Sequence, residues 1–346
     1  MDSLLSNKKL LYAVLSLVTL ALLSAIVLVG VTILKSDSST DTTSTKSTQD
    51  GSSSFSDGTV SNLSGGVSSY RNIKGLTLRV NQIETCSADT LTAYVSVSST
   101  AGNVNTNFGK NDVSVYLDGK KMTSFEFSPV NLKAAPLRNM LLLDHSGSMT
   151  PDAMANAKTA GINYVSKLQP DDQAGVIQFN QVVETLVPLT KDKARVSSAI
   201  NGITPRGDTA IFDAIGTGID SVAGCGRKAV TVLTDGEDTA SKTYTQASVT
   251  AKTAQNNLPV FAVGIKSPNF DPSAIRDIAE KSGGLYLEAD TPANITSLYD
   301  KIDGQLRGQF VANFKMQIKK TNTMHTLKIV STVEGSDTGS ERVFFY

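Results

Sequence analysis

Hydrophobic residues follow several different rhythms along the chain. Residues 10–34 form one unbroken uncharged run, and residues 36–69 hold almost nothing apolar. From Ile73 to Pro136 apolar and polar positions alternate, as in Leu76, Leu78 and Val80, in Leu91, Ala93, Val95 and Val97, and in Val113, Val115 and Leu117. Asp118-Gly119 is a hairpin signal, and Phe125 and Phe127 alternate beyond it. From Arg138 to Arg307 the rhythm changes to short apolar runs separated by amphipathic stretches, the signature of repeated strand–helix units. The runs predict strands over 140–143, 174–179, 182–187, 229–234, 259–265 and 285–287. The amphipathic stretches predict helices over 151–168, 191–201, 210–222, 245–256, 272–281 and 293–306. After Gly308 the alternation returns through Phe310, Ala312, Phe314, Met316 and Ile318, then Leu327 and Ile329, then Val343 and Phe345.

The fold class expected from this order is α/β, a doubly wound and mostly parallel six-stranded sheet. Neither flanking β segment is comfortable alone, but together they offer about seven strands over roughly 100 residues, enough for a β-sandwich. A doubly wound domain starts its first strand and finishes its last helix at the same end, so it can be inserted into such a sandwich. The expected organisation is a tail over 1–9, an apolar segment over 10–34, a polar stalk over 35–72, sandwich strands over 73–137, the α/β domain over 138–307 and further sandwich strands over 308–346.

The 25 uncharged residues of 10–34 lie between Lys8-Lys9 and Lys35. At 1.5 Å per residue they cover about the 30 Å core of a bilayer. The run exceeds the usual apolar region of a cleaved signal peptide and ends in Val-Gly-Val-Thr-Ile-Leu, without a good small-x-small pair, so it reads as an uncleaved signal anchor. The short positive tail places the N-terminus in the cytoplasm and the later domains outside the cell membrane. With 13 Ser and 6 Thr among 34, residues 36–69 cannot offset their ordering entropy and read as a solvated stalk with a reach of roughly 30–35 Å.

The whole chain has 346 residues, with 32 basic and 32 acidic side chains. Zero net charge argues against a general nucleic-acid binder. Two cysteines and two histidines cannot build a thiolate or histidine-rich metal centre. Outside the cytoplasm Cys86 and Cys225 can pair, but they fall in different expected domains, which leans against a bridge.

Candidate chemistry gathers where buried strands end in aspartate. The 140–143 strand runs into Asp144-His145-Ser146-Gly147-Ser148, which presents a carboxylate and two hydroxyls at i, i+2 and i+4. The 229–234 strand runs into Asp235-Gly236-Glu237-Asp238, and Pro205-Arg206-Gly207-Asp208-Thr209 opens the next helix. Ligands of open α/β sheets bind outside the carboxyl ends of the strands, and hard oxygen donors suit Mg²⁺ or Mn²⁺, with Ca²⁺ also possible. Asp144-x-Ser146-x-Ser148, Thr209 and Asp235 together resemble the metal ion-dependent adhesion site of von Willebrand factor type A domains, also found in integrin inserted domains. The resemblance spans 138–307. It implies that Ser146, Ser148 and sometimes Thr209 bind the cation directly, that Asp144 and Asp235 act directly or through water, and that a partner's carboxylate fills a remaining position. One departure is Gly207-Asp208, where the family often has Gly-Gly; the added carboxylate bears on cation affinity and on the class of partner.

Other readings carry less. Asp144 as a simple helix cap would not require Thr209 and Asp235. A hydrolase built on Ser146 lacks a G-x-S-x-G elbow, and adjacent His145 has poor triad geometry. His325 reads as an exposed hairpin residue. Arg206-Gly207-Asp208 matches a tripeptide that integrins recognise, but its Gly-Asp-Thr end already serves the metal loop, so coincidence is preferred. The expected function is non-enzymatic: a membrane-anchored extracellular binding or adhesion protein that engages a protein or surface macromolecule through a divalent cation, the ligand contributing an acidic group. The alternative is a cell-envelope scaffold or assembly factor.

Overall fold

The computed structural model describes residues 69–71, 76–99, 104, 107–267, 270–316, 322–333 and 338–346, all within a single compact unit. The apolar segment and nearly all of the stalk lie outside the described residues. Among the described residues no helix is long and apolar enough to cross a membrane.

The α/β portion is a six-stranded sheet made of β7 (Arg138–Asp144), β8 (Gln173–Phe179), β9 (Val183–Thr190), β10 (Lys228–Thr234), β11 (Val260–Ile265) and β12 (Tyr286–Ala289), in the order β12-β11-β10-β7-β8-β9. The sheet is mixed: β9 runs antiparallel to β8, and the other four pairings are parallel. Alternation along β7 explains the two helical layers. Leu141 and Leu143 point into one core with α1 (Pro151–Lys167), α2 (Lys193–Gly202) and α6 (Ile295–Arg307). Met140 and Leu142 point into the other with α3 (Ile211–Ser221), α4 (Gln246–Gln255) and α5 (Ser273–Lys281). Strands buried on both faces need near-continuous apolar sequence, which is what β7, β10 and β11 supply.

Chain segments on either side of this unit share two antiparallel sheets. β13 (Phe310–Lys315) lies between β3 (Thr90–Ser99) and β6 (Glu126–Pro129), with β2 (Leu76–Glu84) beyond β3. β14 (Met324–Ser331) lies between β4 (Val113–Leu117) and β15 (Gly339–Phe345), with β1 (Ser69–Arg71) and the two-residue β5 (Lys120–Lys121) at the edges. One core joins the two sheets, and Phe127 and Phe310 stack inside it with ring centroids 5.0 Å apart. β1 falls within the span read as stalk. It is a backbone-paired edge strand in a serine-rich stretch, which no apolar alternation marks.

The sandwich docks against the amino ends of the central strands. The Gln82 amide donates to the Gly226 carbonyl and accepts from Lys228 N–H at the start of β10. Asn81 donates to the carbonyl of Gly283, and buried Arg342 donates to the carbonyls of Val80 and Asn81. Cys86 and Cys225 form a disulfide across this junction, with Cα atoms 5.9 Å apart. The expectation leaning against a bridge is therefore corrected, because direct docking brings the loops after β2 and before β10 together. His325 is corrected too. It sits on β14 with its side chain only 13% exposed, hydrogen-bonded to Asp118 and Thr323.

Candidate functional site

β7 and β10 are neighbours in the middle of the sheet, and the chain leaves them toward opposite sides. Their carboxyl ends therefore flank a crevice at the point where the strand order switches. β7 delivers Asp144 into it fully buried. The turn that follows is held by its own aspartate, since Asp144 Oδ1 accepts the Ser146 N–H at 2.8 Å. α1 then starts at once, capped by Thr150 and led by Pro151, a residue pre-set for a first helical position.

The side chains form a continuous chain of hydrogen bonds. Ser148 Oγ donates to Asp235 Oδ1 at 2.7 Å, and Ser146 Oγ lies 2.9 Å from Ser148 Oγ. A serine hydroxyl has one hydrogen, so Ser146 is the donor to Ser148. Thr234 Oγ1 donates to Asp144 Oδ2 at 2.6 Å. Thr209 is buried on the third loop; a methyl group built on Gly236 would lie 3.3 Å from its hydroxyl and 3.6 Å from that of Ser148. All five residues singled out in the sequence thus border one crevice.

The loop carrying Thr209 is fixed from both sides. Gly147 N–H donates to the Gly207 carbonyl at 2.7 Å and Arg206 N–H to the His145 carbonyl. Asn180 Nδ2 donates to the Arg206 carbonyl and Asp208 N–H to Gln181 Oε1. Gly207 has a φ of +81°, a left-handed conformation that strains any side chain, and a Cβ there would also press on the Gln181 amide. Asp208 itself is exposed. Behind the loop, Asp238 accepts the Phe212 N–H at the start of α3 and Asp213 accepts three backbone N–H groups from Lys242, Thr243 and Tyr244. Thr234, Asn180, Gln181 and Asp213 are the supports that sequence reasoning missed, and Asp238, named there only as a further oxygen after β10, proves to hold the start of α3. Only Thr234 carried a local signal, its place directly before the strand-end Asp235.

Burial pushes Asp144 up to about 6 despite its hydrogen bonds from Thr234 and Ser146, and the nearby Asp235 charge adds to the rise. Burial also raises Asp235. Neither carboxylate is ion-paired among the described residues. Two desolvated carboxylates and three hydroxyls are a hard, oxygen-only donor set. It fits a small divalent cation and offers nothing to a soft metal. His145 is no competing ligand at its Nδ1, which donates to the Thr204 carbonyl at 2.9 Å. A different cluster, Glu84 with Cys86 and Cys225, holds metal-type ligands within 4.8 Å, but both sulfurs are consumed by the disulfide.

The family model of the von Willebrand factor type A domain matches residues 140–301. Among curated proteins the chain is 23% identical over 203 residues to an uncharacterized protein of Synechocystis sp., covering 57% of this chain and 48% of that one. It is 24% identical over 226 residues to inter-alpha-trypsin inhibitor heavy chain H4 of Bos taurus, covering 59% and 24% respectively. The chain therefore spans less than half the length of either relative. Among solved structures it resembles a von Willebrand factor type A protein from Catenulispora acidiphila at 12% identity and a TM-score of 0.48, covering 78% of this chain and 73% of that one. The matched span holds nearly all of the central sheet and its helices and every residue of the crevice, so the likeness to the von Willebrand factor type A domain falls on the part of the chain that builds the site.

Proposed function

We propose that this chain is a binding protein of the adhesion or protein-interaction type, which engages a macromolecular ligand through a divalent cation held by Asp144, Ser146, Ser148, Thr209 and Asp235. The observation that carries the reading is the unbroken series from Ser146 through Ser148 to Asp235, beside a fully buried Asp144, at the carboxyl edge of the sheet. A cation there supplies an electrophilic position for an acidic group of the ligand. The chain's own residues hold that position: Thr234 and the Ser146 N–H orient Asp144, and the straps from Asn180 and Gln181 hold the Thr209 loop. Mg²⁺ fits the donor set best, with Mn²⁺ and Ca²⁺ as alternatives.

The uncharged run of 10–34 supports a membrane anchor, with the polar stretch behind it as a spacer and the domains outside the cell. The likeness to the von Willebrand factor type A domain favours binding over catalysis. The test is a pull-down from surface material with the full chain in Mg²⁺ against chelator, using wild type and Asp144→Ala. Ligand is expected only with wild type in Mg²⁺. Equal capture in chelator sinks the cation-mediated reading.

A further inference from the structure

An apolar groove of about 570 Å³ opens beside the crevice, and the two share walls. The turn that supplies Ser146 and Ser148 to the crevice continues directly into Met149 and Pro151 of the groove. The loop that supplies Thr209 begins with Ile203, Thr204 and Pro205, which form the opposite wall. The rest of the groove is one stripe of α1: Pro151, Met154, Ala155, Lys158, Thr159 and Ile162, at the i, i+3, i+4, i+7, i+8 and i+11 spacing of a single helix face. From Pro151 to Ile162 the stripe runs about 16 Å away from the crevice, the length of about five residues of extended chain.

The lining also differs along its length. Met149, Met154 and Ile203 are buried and form an apolar floor nearest the crevice. Methionine is unbranched and adaptable, which suits a floor that accepts more than one aliphatic shape. Lys158 lies about 10 Å further along the helix from Pro151. Its ammonium donates to the Asn201 carbonyl at 2.9 Å and has no carboxylate partner among the described residues. The order along the groove is therefore cation position, apolar floor, then an ammonium.

From this order we infer that the ligand is an extended protein segment of the form acidic–x–aliphatic–x–acidic. The inference rests on the metal-site reading above and deepens it by naming the partner. Residues i, i+2 and i+4 of an extended strand point to one side. The first carboxylate then meets the crevice, the aliphatic side chain sits on Met149, Met154 and Ile203, and the second carboxylate reaches Lys158. The charge order excludes a basic segment.

The test uses the full chain and a labelled peptide, Gly-Asp-Gly-Leu-Gly-Glu-Gly, followed by fluorescence anisotropy in Mg²⁺ and in chelator, with calorimetry of Mg²⁺ alone run in parallel. Replacing the peptide's Leu by Gly is expected to weaken binding about tenfold, the worth of one buried aliphatic side chain. Ala155→Trp fills the groove and is expected to erase the difference between the Leu and Gly peptides. Lys158→Glu is expected to erase or invert the preference for the peptide's Glu over Gln. Both variants are expected to keep Mg²⁺ affinity within about twofold, since neither residue touches the crevice. The inference is overturned, with the metal reading intact, if Mg²⁺ binds but the peptide does not, or if Leu and Gly peptides bind alike. If the chain binds no Mg²⁺, or binds the peptide equally in chelator, the metal reading fails and the inference falls with it.

Discussion

Asp144 sits where water does not reach, and the hydrogen bonds it accepts do not cancel the cost of its charge. Its pKa in the folded chain, about 6, lies above the ordinary 3.8, so the folded state holds that proton more tightly than the unfolded one. The stabilising effect of that tighter proton is fully present below about 3.8 and is lost as pH rises through about 6. In chelator, Asp144→Asn should therefore be more stable than wild type at pH 7, by on the order of 1–3 kcal/mol, with the gain shrinking as pH falls from 6 to 4. The same variant should show no stabilisation by Mg²⁺. Urea melts at both pH values check this, and a destabilised variant at pH 7 contradicts it. Gly207 is the second residue whose identity is dictated locally. Gly207→Ala adds a Cβ against Gln181 and forces a side chain into the left-handed region, costing about 1–2 kcal/mol. Mg²⁺ affinity should fall about tenfold, and adding Gln181→Ala should restore part of it; full affinity in the single variant would show that the loop's geometry does not matter. Asp208→Gly gives the Gly-Gly pair common in the domains that this stretch resembles. Because Asp208 is exposed, a few-fold weaker Mg²⁺ affinity is expected rather than loss.

At the scale of elements, the loop after β10 caps α3 from outside. Ala210 offers α3 no side-chain cap. Asp238 accepts from Phe212 N–H instead and also holds the Ser241 hydroxyl. Asp238→Ala should cost about 1 kcal/mol in thermal unfolding and lower Mg²⁺ affinity in parallel, because one carboxylate fixes both helix and loop. A stability loss with unchanged Mg²⁺ binding would separate the two. This coupling was not legible in the sequence, whereas the helices themselves were. The stretch 151–168 was readable because Thr150-Pro151 starts a helix and the apolar residues of α1 recur at helical spacing; the observed helix is Pro151–Lys167. The crevice was legible for a similar reason, since buried strands ending in aspartate need only local pattern and the βα rule about strand ends. What stayed hidden depends on partners far apart in sequence. Gln82 meets Gly226 and Lys228 across 144 and 146 positions. His325 reaches Asp118 across 207. Neither has a periodicity of its own.

Taken as a whole, the molecule places its sandwich and its crevice at opposite ends of the central strands. Disulfide Cys86–Cys225 closes a loop of 139 residues at the sandwich end, so the chain-entropy model assigns it up to about 5 kcal/mol. The double variant Cys86→Ser with Cys225→Ser should melt at a clearly lower temperature in non-reducing buffer yet bind Mg²⁺ as wild type does, because the crevice gains no support from that junction. A matching fall in Mg²⁺ affinity would mean that the two ends communicate. Ligand capture by this chain depends on one property, that the crevice holds a divalent cation. Calorimetric titration of the full chain with Mg²⁺ measures it directly, with Asp144→Ala and Asp235→Ala alongside. One Mg²⁺ per chain for wild type and none for either folded variant is the predicted result; no heat with wild type, or binding unchanged in both variants, would contradict it.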